Sequence, residues 1–277
     1  MSRPFEVGDR VLLIDSKSRR YLVTLAPEGS FHSHAGYVTH GVLLGRPEGT
    51  TVRSTGGARY LAVRPTLSDF ILKMPRGAQV IYPKDLGPLL LIADIFPGAR
   101  VLEAGVGSGA LSMTMLRAGA EVVGYELRED FAARARANVA SFLGPEASAR
   151  FRVEGRDVYA GIDEADLDRV VLDLPEPWRA VKHASAALHP GGILVSYLPS
   201  VSQVAALREA IEDSPFGLAH TVEVLERGWH VEGQSVRPDH RMVGHTGFLT
   251  SARLLGGPTG GPAGGAPEPG EDRPGPG

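Results

Sequence analysis

Cysteine is absent from this chain of 277 residues, and its absence excludes three kinds of chemistry. Without thiols there is no disulfide framework, no thiolate metal site and no cysteine nucleophile. No apolar run reaches the roughly 18 residues that a membrane-spanning helix needs, and the opening MSRPFEVGDR lacks a signal-peptide core. We therefore expect a cytoplasmic globular protein that does not enter a membrane and has a core large enough for one or two domains.

A strong charge of either sign is also lacking, since the net charge is −3 at pH 7. This value argues against a nucleic-acid partner, but the charge is unevenly distributed. Residues 1–97 carry a net charge of +4, whereas the remainder carries −7. The N-terminal part is thus the candidate for contact with phosphate groups, although ordinary surface charge is a simpler explanation of so small an excess.

Four regions are expected from the composition along the chain. Residues 1–66 contain short β-rich runs separated by turn signals and predict a small, barrel-like β domain; the runs are VLLIDS, RRYLVTL, GYVTHGVLLG, TTVRSTGG and RYLAVRP. Residues 67–98 form a connector that includes a helix, and residues 99–255 form the main domain. Residues 256–277 are almost entirely glycine, proline and charged residues, which predicts a disordered tail.

Strand and helix patterns alternate in the main domain, as in a doubly wound, Rossmann-like α/β fold. Its predicted helices include WRAVKHASAALHP, and its last two predicted strands are HTVEVLERGWHVE and MVGHTGFLTSARLL. Two consecutive strands at the end indicate an antiparallel hairpin that closes the sheet. Ligands of such sheets bind outside the carboxyl ends of the strands.

Three histidines lie close together in the N-terminal domain and raise the question of a metal site: His32, His34 and His40. Neither a thiolate nor a well-placed carboxylate completes a set of four ligands. Roles in turns and hydrogen bonds are favoured, and we predict no metal.

The stretch ARVLEAGVGSGA at residues 99–110 predicts a strand, a tight glycine loop and the start of a helix. Glycine carries no Cβ and tolerates positive φ, so a ligand can press against the backbone of such a loop. The first N–H groups of the following helix face whatever binds there. A nucleotide-like ligand is the expected occupant.

The glycine pattern by itself leaves two cofactors open. It satisfies the G-x-G-x-x-G/A dinucleotide fingerprint, and Glu126 follows about 20 residues on. However, Glu103 places a carboxylate where a dinucleotide strand is usually apolar, and this carboxylate can hold the ammonium group of a methionine moiety. The pattern E-x-G-x-G-x-G resembles the first motif of class I S-adenosylmethionine-dependent methyltransferases.

Further polar and aromatic residues follow the predicted strands. Glu126 closes the second strand, where it can accept both ribose hydroxyls of an adenosine, and Phe131 can cover one face of the adenine. Asp157, with Arg156 beside it, ends the third strand and can accept a hydrogen bond from the adenine amino group. A surface or packing role is the alternative for each.

Asp173 follows the apolar run VVL and opens DLPEPW, whose two prolines stiffen the loop. DLPEPW resembles the (D/N/S)-P-P-(Y/F/W) motif with which nucleobase amino-methyltransferases grip a flipped base, except that one extra residue separates Asp173 from Pro175. Tyr197 ends the next strand and can stack on a base. In the connector, RGAQVIYPKD places Tyr82 beside the glycine loop, unless that segment is a plain linker.

Taken together, the β domain, RGAQVIYPKD, VLEAGVGSGALSM, DLPEPW, VSYLPS and VRPDHRMVGHTGFL resemble the bacterial and archaeal tRNA adenine-N1 methyltransferases that modify position 58. The resemblance implies S-adenosylmethionine as cofactor, tRNA as substrate and a homotetramer. It implies Asp173 as the catalytic residue, with Tyr82 and Tyr197 near the target base. The implied cofactor contacts are Glu103, Gly105, Val106, Gly107, Ser108, Gly109, Ala110, Glu126, Phe131, Arg156, Asp157 and Asp173.

Three other functions stay open at the level of sequence. A class I methyltransferase for a small molecule or a protein would keep the glycine loop without needing DLPEPW. A non-catalytic RNA-binding subunit would be expected to have a degraded glycine loop, whereas here the loop is intact. A nicotinamide oxidoreductase is opposed by Glu103 and by the lack of a recognisable proton-relay motif.

Overall fold

The computed structural model describes residues 3–77 and 79–256, so the predicted tail lies outside the described residues from residue 257 onward. The N-terminal region contains six strands and a 3-10 turn at His40–Val42; the strands are β1 (Arg10–Asp15), β2 (Arg20–Thr24), β3 (Ser30–Ser33), β4 (Gly36–Thr39), β5 (Thr50–Arg53) and β6 (Arg59–Val63). Four of these strands form an antiparallel sheet in the order β2-β1-β6-β5, and β3 pairs with β4.

Apolar side chains from the sheet, from β4 and from the loops enclose one core in this region. They are Phe5, Val11, Leu13, Leu25, Val38, Leu43, Val52, Tyr60 and Ala62. Burial of each valine or leucine side chain contributes about 1.5–3 kcal/mol to folding. The small N-terminal β domain expected from the turn-separated β runs is therefore present.

Two helices form the connector, α1 (Leu67–Lys73) and α2 (Pro83–Ile92). A capping box starts α1, because the Thr66 side chain accepts a hydrogen bond from the Asp69 N–H and the Asp69 carboxylate accepts one from the Thr66 N–H. Proline at the first position of α2 suits the helix start, since its φ is already helical. The connector thus leads the chain directly to the main domain.

The main domain alternates strands and helices as predicted. Its elements are β7 (Arg100–Ala104), α3 (Ala110–Arg117), β8 (Glu121–Tyr125), α4 (Glu129–Leu143), α5 (Pro145–Ala149), β9 (Phe151–Glu154), β10 (Leu167–Leu172), a 3-10 turn (Pro177–Ala180), α6 (Val181–Ala187), β11 (Leu188–Leu198), α7 (Val201–Glu212), β12 (Phe216–Glu223), β13 (Trp229–Glu232), β14 (Ser235–Pro238) and β15 (Phe248–Leu254).

Seven of these strands form one mixed sheet in the order β12-β15-β11-β10-β7-β8-β9. Neighbours from β11 to β9 are parallel, and β15 is antiparallel to both β11 and β12. The chain runs outward from β7 to β9 and then returns to β10 on the other side of β7. This topology confirms the doubly wound, Rossmann-like fold, and its switch point lies between β7 and β10.

An aromatic stack joins the N-terminal domain to the main domain. The rings of Phe70 in α1 and Phe142 in α4 are stacked, with centroids 4.4 Å apart and planes 7° from parallel. The guanidinium carbon of Arg10 in β1 lies 4.6 Å from the centroid of Phe70. Cation–π contacts of this kind contribute about 0.5–1 kcal/mol or more when partly desolvated, so the stack stabilises the contact between three elements.

The predicted hairpin at the end of the sheet differs from the structure in its connection. The run HTVEVLERGWHVE is split, since β12 ends at Glu223 and β13 begins at Trp229. Lys84 Nζ donates to the carbonyl of Val224 at 2.7 Å and takes that carbonyl out of strand pairing. β13 then pairs with β14 in a separate hairpin. In the chain this hairpin is inserted between β12 and β15, which pair with each other in the main sheet.

Two other predicted elements are shorter than expected. In the run MVGHTGFLTSARLL only Phe248–Leu254 forms a strand, because side-chain bonds of His245 and Thr246 hold the preceding residues away from the ladder. The predicted helix WRAVKHASAALHP ends at Ala187. His189 precedes a proline, which disfavours helical backbone and allows β11 to begin at Leu188.

A search of the described residues for membrane spans found no helix of sufficient length and apolar character.

Candidate active site

The glycine loop connects the end of β7 to the start of α3. Gly105 has a φ of +84°, and a Cβ there would lie 2.1 Å from the backbone oxygen of Asp173. Any larger residue would therefore force apart the ends of β7 and β10. The N–H of Asp173 also donates to the carbonyl of Ala104 at 2.9 Å. The loop and Asp173 thus meet at the switch point of the sheet.

Glu103, two residues before the loop, is fully buried. Its Oε2 accepts a hydrogen bond from Ser112 Oγ at 2.5 Å, and no donor among the described residues reaches its Oε1. Burial raises the pKa of this carboxyl to about 8, the Ser112 hydroxyl opposes that effect, and the charges of Asp173 and Glu126 add to it. A cation at Oε1 would supply the missing partner, so this residue fits the ammonium group of a methionine moiety.

Residues of two regions line a cavity at this point. The connector contributes Gln79, Val80 and Ile81, and the main domain contributes Glu103, Gly105, Val106, Gly107, Ser108, Ala110, Leu111 and Asp173. The buried Ser108 hydroxyl is a second polar group without a hydrogen-bond partner in the described part of the chain. Two unpartnered polar atoms beside a glycine loop are what a polar ligand would satisfy. Seven of the predicted cofactor residues therefore meet around one cavity.

Glu126 joins this arrangement from the end of β8. Its Oε2 accepts a hydrogen bond from the Gly107 N–H and its Oε1 accepts one from the Arg128 N–H, each at 3.0 Å. A carboxylate oxygen can accept more than one hydrogen bond, so both oxygens can still receive ribose hydroxyls. The backbone contact to Gly107 fixes this carboxylate relative to the glycine loop.

The remaining predicted adenosine contacts lie farther along the strand ends. The guanidinium of Arg128 lies 3.7 Å from the centroid of the Phe131 ring. Arg156 and Asp157 are exposed in the loop after β9, where Arg156 pairs with Asp163 and Asp157 Oδ1 accepts the Tyr159 N–H at 2.9 Å. The structure does not bring these two residues into the cavity of Glu103, and their contact with adenine stays a prediction.

Asp173 is half-buried at the end of β10, and burial raises the pKa of its carboxyl to about 7. Two contacts hold the loop that follows. Gln203 Nε2 in α7 donates to the carbonyl of Pro175 at 2.9 Å, and the N–H of Glu176 donates to the Tyr159 hydroxyl at 3.2 Å. The backbone that carries Asp173 is therefore fixed on both sides.

Tyr197, near the end of β11, lies beside the same acidic groups. Burial raises the pKa of its hydroxyl to about 12, a hydrogen bond with Thr246 opposes this effect, and the charges of Asp85 and Asp173 add to it. Tyr82 immediately precedes α2. Neither tyrosine is among the described residues that line the cavity of Glu103, so their contact with a base stays a prediction. A Cβ on Gly247 would come within 2.5 Å of the Tyr197 ring, so the backbone of Gly247 is packed directly against this ring.

Lys84, Asp85 and Thr246 form a polar network next to Tyr197, and the sequence did not predict the part played by Thr246. Asp85 is fully buried, its Oδ1 accepts from Lys84 Nζ at 2.8 Å, and its Oδ2 accepts from Thr246 Oγ1 at 2.7 Å. Thr246 lies 161 positions farther along the chain, and no sequence pattern signals this contact. Lys84 and Asp85 themselves belong to the predicted RGAQVIYPKD segment.

Two of the three N-terminal histidines, His32 and His40, take part in hydrogen bonds. The buried His40 accepts the N–H of Ala26 at 3.0 Å through Nδ1, and burial lowers its pKa. His32 Nε2 lies 2.8 Å from the Ser30 hydroxyl. In the described ranges, 3–77 and 79–256, no three His, Cys, Asp or Glu side chains are grouped so that they could hold a metal ion.

Comparison with known proteins gives two matching families. Residues 59–237 match the family described as the tRNA methyltransferase complex GCD14 subunit, and residues 4–52 match a family described as TrmI-like N-terminal. The chain is 42% identical over 246 residues to the tRNA (adenine(58)-N(1))-methyltransferase TrmI of Thermus thermophilus, covering 88% of this chain and 96% of that protein.

Solved structures agree with these matches. A SAM-dependent O-methyltransferase of Thermotoga maritima superposes with a TM-score of 0.86 and 31% identity over 91% of this chain and 94% of that one. The tRNA (m1A58) methyltransferase TrmI of Aquifex aeolicus superposes with a TM-score of 0.81 and 29% identity over 91% and 99% of the two chains. Both resemblances cover the N-terminal domain as well as the Rossmann-like domain.

Proposed function

This chain belongs to the tRNA methyltransferase family of the GCD14 subunit and the TrmI enzymes, and we propose that it methylates N1 of adenine 58 in tRNA. S-adenosylmethionine is the methyl donor in this family and fold. The observation that carries the proposal is the meeting of the glycine loop, the Glu103 carboxyl with its unpartnered Oε1, and Asp173 at one switch point.

Glu103 and Glu126 would hold two different parts of the cofactor, its methionine moiety and its ribose. The Glu103 carboxylate would accept the ammonium group of the methionine moiety, and the Glu126 carboxylate would accept the ribose hydroxyls. When bound, S-adenosylmethionine supplies a methyl group on a positively charged sulfur, which a nucleophile can attack directly. The glycine loop, whose glycine residues carry no Cβ, would let the cofactor lie against its backbone.

Adenine N1 has its own lone pair, so the protein needs no strong base to create the nucleophile. The required task is to align N1 with the methyl–sulfur bond. Transfer forms the bond between carbon and N1, breaks the bond between carbon and sulfur, and leaves a positive charge on the adenine ring. The Asp173 carboxylate would accept a hydrogen bond from the exocyclic amino group and stabilise this developing charge.

Tyr82 and Tyr197 would receive the base after it leaves the tRNA loop. Extraction costs a few kcal/mol of unstacking, and stacking on aromatic rings offsets part of that cost. Tyr197 lies close enough to Asp173 to be affected by its charge, and Tyr82 immediately precedes α2. We assign them to base positioning, with Asp173 as the catalytic residue.

The N-terminal domain would contact the tRNA backbone. Arg53 in β5 lies directly opposite Arg59 in β6, and both side chains are exposed. Like charges at opposed strand positions destabilise a sheet, whereas a phosphate group placed between them would neutralise both. This arrangement supports an interaction with RNA better than the small net charge alone. Because the proposed substrate is tRNA, we also expect the enzyme to work in the cytoplasm.

Substitution of Asp173 tests the catalytic assignment. The full chain is incubated with unmodified tRNA and S-adenosylmethionine, and digested nucleosides are examined for N1-methyladenosine by mass spectrometry. We expect Asp173→Asn to lower kcat by about 100-fold, because the carboxylate that stabilises the ring cation is lost. The wild-type rate should rise between pH 6 and 8, since a carboxyl with a pKa of about 7 becomes ionised in this range.

Glu176→Gln is the matched control, because Glu176 lies in the same loop and its side chain pairs with Arg179 at the surface. It should retain the wild-type rate and pH profile. An Asp173→Asn variant with an unchanged rate would show that Asp173 is structural. Methylation of a small molecule or a protein, without methylation of tRNA, would show that the substrate is not tRNA.

A further inference from the structure

Asn138 lies in α4, outside the cavity, and is only 4% exposed. Its side-chain Nδ2 donates two hydrogen bonds, one to the carbonyl of Ser108 at 2.9 Å and one to the carbonyl of Pro75 at 3.1 Å. The amide group thereby uses both of its N–H donors. Its two acceptors are 33 positions apart in the sequence.

These two carbonyls belong to two segments that both contribute residues to the cavity. Ser108 is part of the glycine loop. Pro75 begins the segment of residues 75–77 and 79–82, here called the strap, which supplies the cavity residues Gln79, Val80 and Ile81. Asn138 is therefore a direct link between the loop and the strap.

The strap also lies against α4 beyond this link. A Cβ on Gly77 would come within 2.9 Å of Phe131 Cε1 and 2.5 Å of Arg134 Nη1. The α4 helix thus contacts the strap near Phe131 and Arg134 and bonds it at Asn138. Since the glycine loop is bonded to the same asparagine, this side chain bridges the strap and the loop directly.

We propose that Asn138 is a positioning residue that holds the strap and the glycine loop at the separation required for S-adenosylmethionine binding. The inference rests on the proposed function, because it takes this cavity as the cofactor site. Loss of the amide would leave two carbonyls without their donor, and the strap would separate from the loop more often. The free energy needed to bring the strap back to the loop would then weaken the apparent affinity for the cofactor.

Calorimetric titration of the full chain with S-adenosylmethionine tests this role. Asn138→Ala should raise the Kd by about tenfold, as expected for the loss of one buried and one partly buried hydrogen bond. The KM for the cofactor should rise in parallel, while kcat at saturating cofactor and the KM for tRNA stay within about twofold of wild type. A role in stability alone would lower the amount of folded enzyme without this selective change in KM.

Hydrogen–deuterium exchange of the cofactor-free protein provides an independent measurement. Amides of the strap should exchange faster in Asn138→Ala than in wild type, whether or not the chain methylates tRNA. Ser141→Ala is the matched control, because Ser141 lies one turn farther along α4 and its hydroxyl bonds only to the Asn138 carbonyl within the described residues. It should leave both the Kd and the strap exchange unchanged.

The inference is overturned if folded Asn138→Ala binds the cofactor within twofold of wild type and shows unchanged strap exchange. Should that variant fail to fold, Asn138→Ser retains one donor and should give an intermediate change in Kd and in exchange. Failure of the wild type to bind S-adenosylmethionine would refute the cofactor site itself. Cofactor binding that depends on Asn138, without methylation of tRNA, would refute the proposed substrate and leave the role of Asn138 intact.

Discussion

At the scale of single residues, Glu103 has the most unusual environment in the site. It is a fully buried carboxyl whose pKa is about 8, compared with an ordinary value of 4.5. At pH 7 the free protein therefore holds this group mainly in its protonated form. Since an ammonium group at Oε1 would favour the ionised form, binding of the cofactor should release a proton.

This coupling predicts the effect of Glu103→Gln on binding. In calorimetric titrations at pH 7 in buffers of different ionisation enthalpy, the wild type should release close to one proton for each S-adenosylmethionine bound. Glu103→Gln should release almost none, because it has no proton to lose, and should bind about tenfold or more weakly. Equal proton release in the two proteins would contradict the placement of the ammonium group at Glu103.

The same residue should affect stability in a defined direction. From pH 4.5 to about 8 the folded state retains a proton that the unfolded state has released, so this carboxyl makes the protein less stable as the pH rises. In Glu103→Gln the fall of the free energy of unfolding across this range should be smaller. Chemical denaturation at several pH values measures the difference.

The site residues that could be predicted from the sequence are those that stand at the ends of predicted strands. Glu103, Glu126 and Asp173 end strands, and parallel strands bring their carboxyl ends to one edge of a sheet. Asn138 and Thr246 act through bonds between distant segments. An asparagine inside a helix and a threonine before a strand have no distinctive pattern, so their contacts could be found only in the folded chain.

At the scale of elements, the β13–β14 hairpin lies outside the seven-stranded sheet and exposes apolar side chains. Val231 and Val236 form a cross-strand pair, and they are 70% and 60% exposed. Trp229, two residues before Val231 on the same face, is 58% exposed. Isolated two-stranded hairpins are marginally stable, and an apolar face of this kind is typical of a contact with another chain. A contact with another copy of this chain would cover this face, in keeping with the homotetramer that the family resemblance implies.

We therefore expect Val231→Asp to disrupt subunit assembly. The wild type should have the mass of four chains by size-exclusion chromatography with light scattering. Val231→Asp should form smaller species, because a charge on a face that becomes buried between subunits is costly. Glu232→Ala alters the opposite face of the same strand and should stay tetrameric. A monomeric wild type, or a tetrameric Val231→Asp variant, would refute this role of the hairpin.

The type of each major element followed from the sequence more reliably than its ends. The helix and strand patterns of the main domain predicted the order from β7 to β11 because the periodicity of each run is clear. The ends of β12 and β15 depend on Lys84 and Thr246, whose side chains bond Val224 and Asp85. These tertiary bonds override the local preference for a strand.

At the scale of the whole molecule, the N-terminal domain and the Rossmann-like domain are built to act together. The stack of Arg10, Phe70 and Phe142 joins them, and the strap from the connector forms one wall of the cofactor cavity. A domain placed in this way can hold tRNA phosphates while the target base enters the site. The sequence predicted both domains, but the contact between them required the structure.

Mapping of the modified nucleotide shows whether this chain places one methyl group on N1 of adenine 58. Full-length protein is incubated with an unmodified tRNA transcript and S-adenosylmethionine, and the methylated position is identified by mass spectrometry of nuclease fragments. A transcript with guanine in place of adenine 58 is the control. We expect N1-methyladenosine at position 58 and no product from the control. Methylation at another position, or a folded protein that binds S-adenosylmethionine but leaves tRNA unmethylated, would contradict the claim.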